Sequence, residues 1–233
     1  MGTILVVRHG QAAFGTDDYD RLTEQGFEQS RLLGRYLAHR GLAFDAVVTG
    51  TLRRHIETAD TILEALGASS TEAQHGHERR PGLNEYDPQA LVMALTGQPV
   101  GQSEGAARRD PVVVREHFRL LRDALLAWTE GRTRPEGMPD WNAFQAGAVD
   151  ALVWARERFS DGNVLVVSSG GPIAAAVSAS LQAPAKTAVE LNLRIRNTAV
   201  TEFATSPKRH HLVCFNSIAH IEQHADVSLA TYS

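Results

Sequence analysis

The feature that most constrains the fold is a short apolar run with no polar alternation. Residues 3–7 read Thr-Ile-Leu-Val-Val, and a matching run, Asn-Val-Leu-Val-Val, occupies residues 163–167. A strand with one wetted face alternates apolar and polar side chains; these do not, so both are expected to be buried on both faces. Such strands belong to a largely parallel sheet covered by helices on each side. The neighbouring patterns agree. Residues 23–40 carry Phe27, Leu32, Tyr36 and Leu37 near helical spacing, and Gly41 follows as a left-handed stop. A strand is expected at 44–48, then a helix over 51–66 with Thr51 as its cap and Gly67 as its end.

The second run is followed by Ser168-Ser169-Gly170-Gly171-Pro172 and an Ala-rich helix to about Leu181. Pro172 suits the first helical turn, where its missing N–H is not needed. Two late strands are expected at 199–204 and 211–215, with Pro207-Lys208 near the turn between them. The predicted architecture is an α/β three-layer sandwich with a mostly parallel central sheet and helices on both faces. It forms a single domain over residues 1–233, with a helical insertion at about 86–161. In that insertion Val114, Phe118, Leu121, Leu125 and Trp128 step by four and three residues, an amphipathic helix with Arg115, Arg119 and Arg122 outward. A second helix is expected over 140–159, and loops rich in Gly and Pro at 99–110 and 133–139.

Composition narrows the chemistry. Among 233 residues there is one cysteine, Cys214, so neither an internal disulfide nor a thiolate cage for zinc is available. Lys and Arg total 23 against 27 Asp and Glu, a formal charge of −4, with no long basic stripe to neutralise nucleic-acid phosphates. The start of the chain lacks the basic and apolar regions of a signal peptide, and no stretch approaches the roughly 20 apolar residues of a membrane span. No nucleic-acid or membrane partner is therefore expected, and the expected location is cytoplasmic. His75-Gly76-His77 and His210-His211 lack the helical spacing and paired carboxylate of a metal motif, so they read as solvated histidines.

Arg8-His9-Gly10 follows the first buried strand directly. Ligands of open parallel sheets sit at the carboxyl ends of strands, so this tripeptide is placed where chemistry occurs. The histidine can serve as nucleophile or base, the arginine fork suits phosphate, and the glycine permits close approach of a ligand. A second strand-to-helix unit, Thr49-Gly50-Thr51-Leu52-Arg53-Arg54-His55-Ile56-Glu57-Thr58-Ala59, puts two arginines in the first helical turn. The helix dipole disfavours cations there, and a nearby anion would explain them. Ser169 and Gly170 open a third unit, whose free N–H groups form another anion site.

These stretches, with Arg80–Asp87 (RPGLNEYD) and Asn197–Phe203 (NTAVTEF), occur in an order and spacing that resemble the histidine phosphatase superfamily, in the branch similar to cofactor-dependent phosphoglycerate mutase. The resemblance implies that His9 takes the phosphoryl group of a small phosphorylated substrate, giving a phosphohistidine that water hydrolyses. It implies Arg8 and Arg54 as phosphate clamps, with Gln11, Ser169, Gly170 and His220 also facing the phosphate, and no metal or organic cofactor. Glu85 falls at the position of the proton donor to the leaving oxygen, with Asp87 as its nearest rival. Such an acid must stay protonated near neutral pH, so a raised pKa is expected for Glu85.

One position departs from the pattern. The family carries a second histidine after the late strand, and this chain has Ser169 there. A hydroxyl donates a hydrogen bond but carries no positive charge. His220, Arg108 or Arg109 are the candidates to fill the gap. Three readings follow: a phosphomonoester phosphatase, a phosphate-binding pseudoenzyme, and a mutase-type phosphotransferase. The last is the weakest, because the mutase branch follows its glutamate with Arg-His-Tyr-Gly where this chain has Tyr86-Asp87-Pro88. Substrate identity is not encoded in any recognisable motif, and a homo-oligomer is left open.

Overall fold

A computed structural model describes residues 2–13, 20–67, 77–98, 111–224 and 226–232. Strand β1 (Gly2–Arg8) leads through helix α1 (Glu24–His39) to β2 (Ala46–Thr49) and α2 (Arg53–Leu66). A short β3 (Glu78–Arg79) and a single 3₁₀ turn (Pro81–Leu83) precede α3 (Pro88–Thr96), α4 (Pro111–Thr129) and α5 (Trp141–Arg158). The chain returns through β4 (Asn163–Ser168), α6 (Gly170–Ser180) and α7 (Ala185–Asn192) to the hairpin β5 (Val200–Thr205) and β6 (His210–Ser217). A four-residue helix α8 (Ala219–Glu222) follows.

The six strands form one sheet in the order β3-β2-β4-β1-β5-β6. Strands β3, β2, β4 and β1 are parallel, with Val6 opposite Val166 and Val7 opposite Val167. Strand β5 runs antiparallel to both β1 and β6. The period of two along β1 sends Leu5 and Val7 to one face, where they pack with Leu33 and Leu37 of α1 and Ile62 and Leu63 of α2. Ile4 and Val6 face the other side, with Trp128 of α4, Phe144 and Leu152 of α5, and Ile173 of α6. Both faces are therefore covered, which is why the run at residues 3–7 has no polar alternation.

Several local expectations are corrected. Helix α2 starts at Arg53 with Leu52 at the cap position, one turn-edge later than Thr51. The N–H of Thr51 instead donates to Asn84 Oδ1 at 2.7 Å, and the N–H of Arg53 is capped from a distance by Asp20 Oδ2 at 2.8 Å. Phe118 is 41% exposed although it falls on the apolar stripe of α4, while Leu121, Leu125 and Trp128 are buried. Strand β3 and helix α7 carried no clear sequence signal; β3 is two residues long, too short for any period to register. The loop expected at 99–110, with Arg108 and Arg109, lies outside the described residues, as do His75 and Gly76.

Candidate active site

The parallel strands β2, β4 and β1 end together at one edge of the sheet, and the residues that follow them converge there. His9 leaves β1 with its N–H donating to Ser168 O at 2.9 Å, and Asn197 Nδ2 donates to His9 O at 3.0 Å. The N–H of Gly10 donates to Thr58 Oγ1 at 3.0 Å, which ties the loop to α2. Thr198 closes the other side with φ +54°, a left-handed conformation that a β-branched residue adopts only under constraint. Its N–H donates to Arg8 O at 3.0 Å, which holds that conformation in place.

The His9 ring is 4% exposed, and its tautomer follows from its partners. Nδ1 lies 2.7 Å from Gly10 O, an acceptor, so Nδ1 carries the proton and Nε2 keeps its lone pair. Arg54 Nε donates to that Nε2 at 3.2 Å. Burial, then the charges of Arg54 and Arg8 and the neighbouring His55, hold the His9 pKa well below the ordinary 6.5. The ring is a neutral base with a directed lone pair.

Arg54 is buried, and its Nη1 is paired with Asp20 Oδ1 at 2.7 Å. Asp20 thus supplies the negative charge that the two arginines at the start of α2 demanded. Arg53 turns outward to Glu57 at 2.6 Å. Arg8 donates from Nη1 to the carbonyls of Ile195 and, at 2.7 Å, Tyr232. It still lies near enough to His9 and Glu85 to shift both groups.

Glu85 reaches the site because the 3₁₀ turn before it is pinned. Ser168 Oγ donates to Leu83 O at 2.8 Å, and the Arg80 guanidinium lies over the Trp154 ring at 4.0 Å from its centroid. The Glu85 carboxylate accepts the N–H of Gly171 at 3.1 and 3.3 Å, in the first turn of α6. A Cβ on Gly171 would overlap Glu85 Oε1, so this approach requires glycine. Burial raises the Glu85 pKa above its ordinary 4.5, opposed by Arg8, Arg54 and the Gly171 N–H. Asp87 does not compete: it is exposed, and its Oδ1 caps α3 through Gln89 N at 2.8 Å and Ala90 N at 3.1 Å.

Ser169 is fully buried and occupies the N-cap position of α6 without capping it. Its Oγ lies 2.7 Å from His55 Nε2 instead. The His55 ring is also fully buried, 5.6 Å from the His9 ring between centroids. His55 had no sequence signal of its own beyond standing next to Arg54, and its facing Ser169 across the sheet end is a tertiary fact. Gln11 is engaged with the start of α1, where its Oε1 accepts from Thr23 Oγ1 at 3.0 Å. Gly170 opens α6 beside Asn192.

His220 was a candidate to replace the missing histidine, and its contacts lie elsewhere. Its Nε2 is 2.9 Å from Thr198 Oγ1 and its ring faces Tyr36 at 6.3 Å. Among the described residues no group of three or more His, Cys, Asp or Glu is arranged to hold a metal ion. His77 pairs with Asp60 at 3.3 Å and His210 with Ser180 at 3.1 Å. No helix among the described residues is long and apolar enough to cross a membrane.

Comparison with known proteins fits this geometry. A 2,3-bisphosphoglycerate-dependent phosphoglycerate mutase from Rhizobium etli is 33% identical over 142 residues, 58% of this chain and 57% of that protein. One from Rhizobium meliloti is 39% identical over 93 residues, 37% of this chain and 42% of that protein. The chain therefore matches about half the length of these curated relatives. A mutant phosphoserine phosphatase from Entamoeba histolytica, solved in complex with phosphoserine, shares the fold with TM-score 0.64 at 16% identity, over 95% of this chain and 100% of that one. The model of the histidine phosphatase superfamily (branch 1) matches residues 4–218, and with His9 at the end of β1 facing Arg54, the chain belongs to that superfamily.

Proposed function

We propose that the protein is a phosphomonoester phosphatase working through a phosphohistidine on His9. The observation that carries this reading is the pairing of a neutral His9, its Nε2 lone pair directed at Arg54 Nε, with a Glu85 carboxyl that burial favours in its protonated form. In the first step His9 Nε2 attacks phosphorus as the bond to the ester oxygen breaks. The leaving oxygen takes the Glu85 proton and departs as the alcohol. Arg54 and Arg8 hold the phosphoryl oxygens, since phosphoryl transfer depends mainly on positioning and charge stabilisation. In the second step the Glu85 carboxylate takes a proton from water as that water attacks phosphorus. The P–N bond breaks, inorganic phosphate leaves, and neutral His9 and protonated Glu85 are restored.

Rapid mixing with a small aryl phosphate, quenched without acid and read by intact mass, is expected to show a phosphoryl adduct absent from His9→Ala. An enzyme keeping its full rate after His9→Ala would sink the mechanism. Ser169 motivates the rival reading of a phosphate-binding protein without turnover. That protein binds orthovanadate yet hydrolyses nothing on a broad panel of phosphoesters.

A further inference from the structure

We infer that His55 is a positioning residue for phosphoryl transfer, acting through Ser169 as a neutral two-residue relay that stands where the resembling family carries its second histidine. The inference rests on the phosphatase reading above. Its first support is geometric: His55 Nε2 and Ser169 Oγ are 2.7 Å apart, both residues are fully buried, and the His55 ring lies 5.6 Å from that of His9.

The direction of the hydrogen bond follows from the other ring nitrogen. His55 Nδ1 is buried and has no hydrogen-bond partner among the described residues. An orphaned buried N–H is less well tolerated than an orphaned lone pair. The proton of the neutral ring therefore sits on Nε2 and is donated to Ser169 Oγ. Burial and the Arg54 charge keep that ring neutral. With its lone pair engaged by His55, the serine has its own O–H proton to give. Ser169 is the residue after Ser168, whose carbonyl anchors His9, and two before Gly171, which anchors Glu85. A phosphoryl group between nucleophile and acid is the acceptor within this arrangement.

The unused cap supports the same direction. Serine at an N-cap ordinarily accepts an N–H of the first helical turn, and Ser169 makes no such bond. Gly50 makes room for the ring, because a Cβ there would overlap His55 Nδ1. The site thus trades a charged donor for a hydroxyl whose orientation is set by a second side chain.

The test is a double-mutant cycle on the full chain, using an aryl phosphate for turnover and orthovanadate for binding. His55→Leu and Ser169→Ala are each expected to lower kcat by about a hundredfold, the loss typical of one preorganised donor, and to weaken vanadate binding. In the Ser169→Ala background, His55→Leu is expected to cost nothing further, because both changes remove one relay. His55→Gln, whose amide N–H can reach the same hydroxyl, is expected to recover most of the rate. A packing role predicts the opposite: additive losses in kcat, with no rescue by glutamine. Histidine-labelled ¹⁵N NMR reads the tautomer directly and is independent of turnover; a proton found on Nδ1 of His55 overturns the relay. Additive losses in an active enzyme overturn the relay alone. Absence of turnover in the unmodified protein, with or without vanadate binding, overturns the phosphatase reading and the relay with it.

Discussion

Arg54 Nε donates to His9 Nε2 at 3.2 Å while its Nη1 is held by Asp20 at 2.7 Å. One planar guanidinium is thus clamped by a carboxylate at one corner and aimed at the nucleophile from another. Only a rigid fork of donors does both, since a lysine ammonium is a point charge on a flexible stem. Arg54→Lys is expected to lower kcat/KM by roughly a hundredfold or more, the range seen when one preorganised donor is lost. Steady-state kinetics on an aryl phosphate checks this, with circular dichroism to establish that the fold is kept.

Glu85 sets activity against stability. Its native pKa lies above 4.5 because burial disfavours the carboxylate. Above that pH the unfolded chain has released the proton while the native state still holds it. The native state then binds more protons, and stability falls as pH rises through the window above 4.5. Glutamine resembles the protonated acid in shape. Glu85→Gln is therefore expected to raise Tm at neutral pH while lowering kcat, most strongly for alkyl phosphates, whose leaving oxygen needs the proton. Thermal unfolding and turnover of the same preparation read both effects; a lower Tm would refute the assignment of burial as the cause.

Gly171 separates the acid from the rest of the site. A Cβ there would overlap Glu85 Oε1 and press on the Tyr86 ring, so the acid and its neighbour are the first groups it displaces. Gly171→Ala is expected to slow alkyl phosphate hydrolysis by about tenfold or more, in line with the loss of a positioned general acid. Hydrolysis of p-nitrophenyl phosphate should fall much less, because its leaving group needs no proton. Comparing kcat for the two substrates checks the difference.

His220 is a stability group with no direct contact to the nucleophile. Burial lowers its pKa from 6.5 to about 4, and its ring N–H donates to Thr198 Oγ1, whose own proton goes to Asn197 O. Between those two values the unfolded chain binds a proton that the native state refuses, so stability falls as pH drops from 6.5 to about 4. The shift corresponds to roughly 3 kcal/mol at about 1.4 kcal/mol per unit. Urea unfolding at several pH values is expected to show that His220→Leu loses about 3 kcal/mol less than the unmodified protein over that window.

Much of this protein is decided by the sequence alone. The unbroken run at residues 3–7 required a strand covered on both faces, and the structure covers it with α1 and α2 on one side and α4 to α6 on the other. Periods of two and 3.6 are local properties, so strand and helix spacing survive in the sequence. His9 and Arg54 were legible for a related reason, because one follows a strand end and the other opens a helix, whereas Glu85 was legible only through the family resemblance.

What the sequence could not hold is which side chains meet across elements. Asp20 caps α2 and pairs with Arg54 from a loop 33 and 34 residues away. His220 carries a histidine in a stretch that matches the family tail, yet its ring is spent on Thr198 and Tyr36. Ser169 reads as the loss of a histidine until the fold brings His55 to it from 114 residues away. The last of these pairings depends on how β2 and β4 lie side by side in register, which brings the starts of α2 and α6 together. A one-dimensional pattern records the offset of a residue within its own element; the contact between two elements exists only once the sheet has formed.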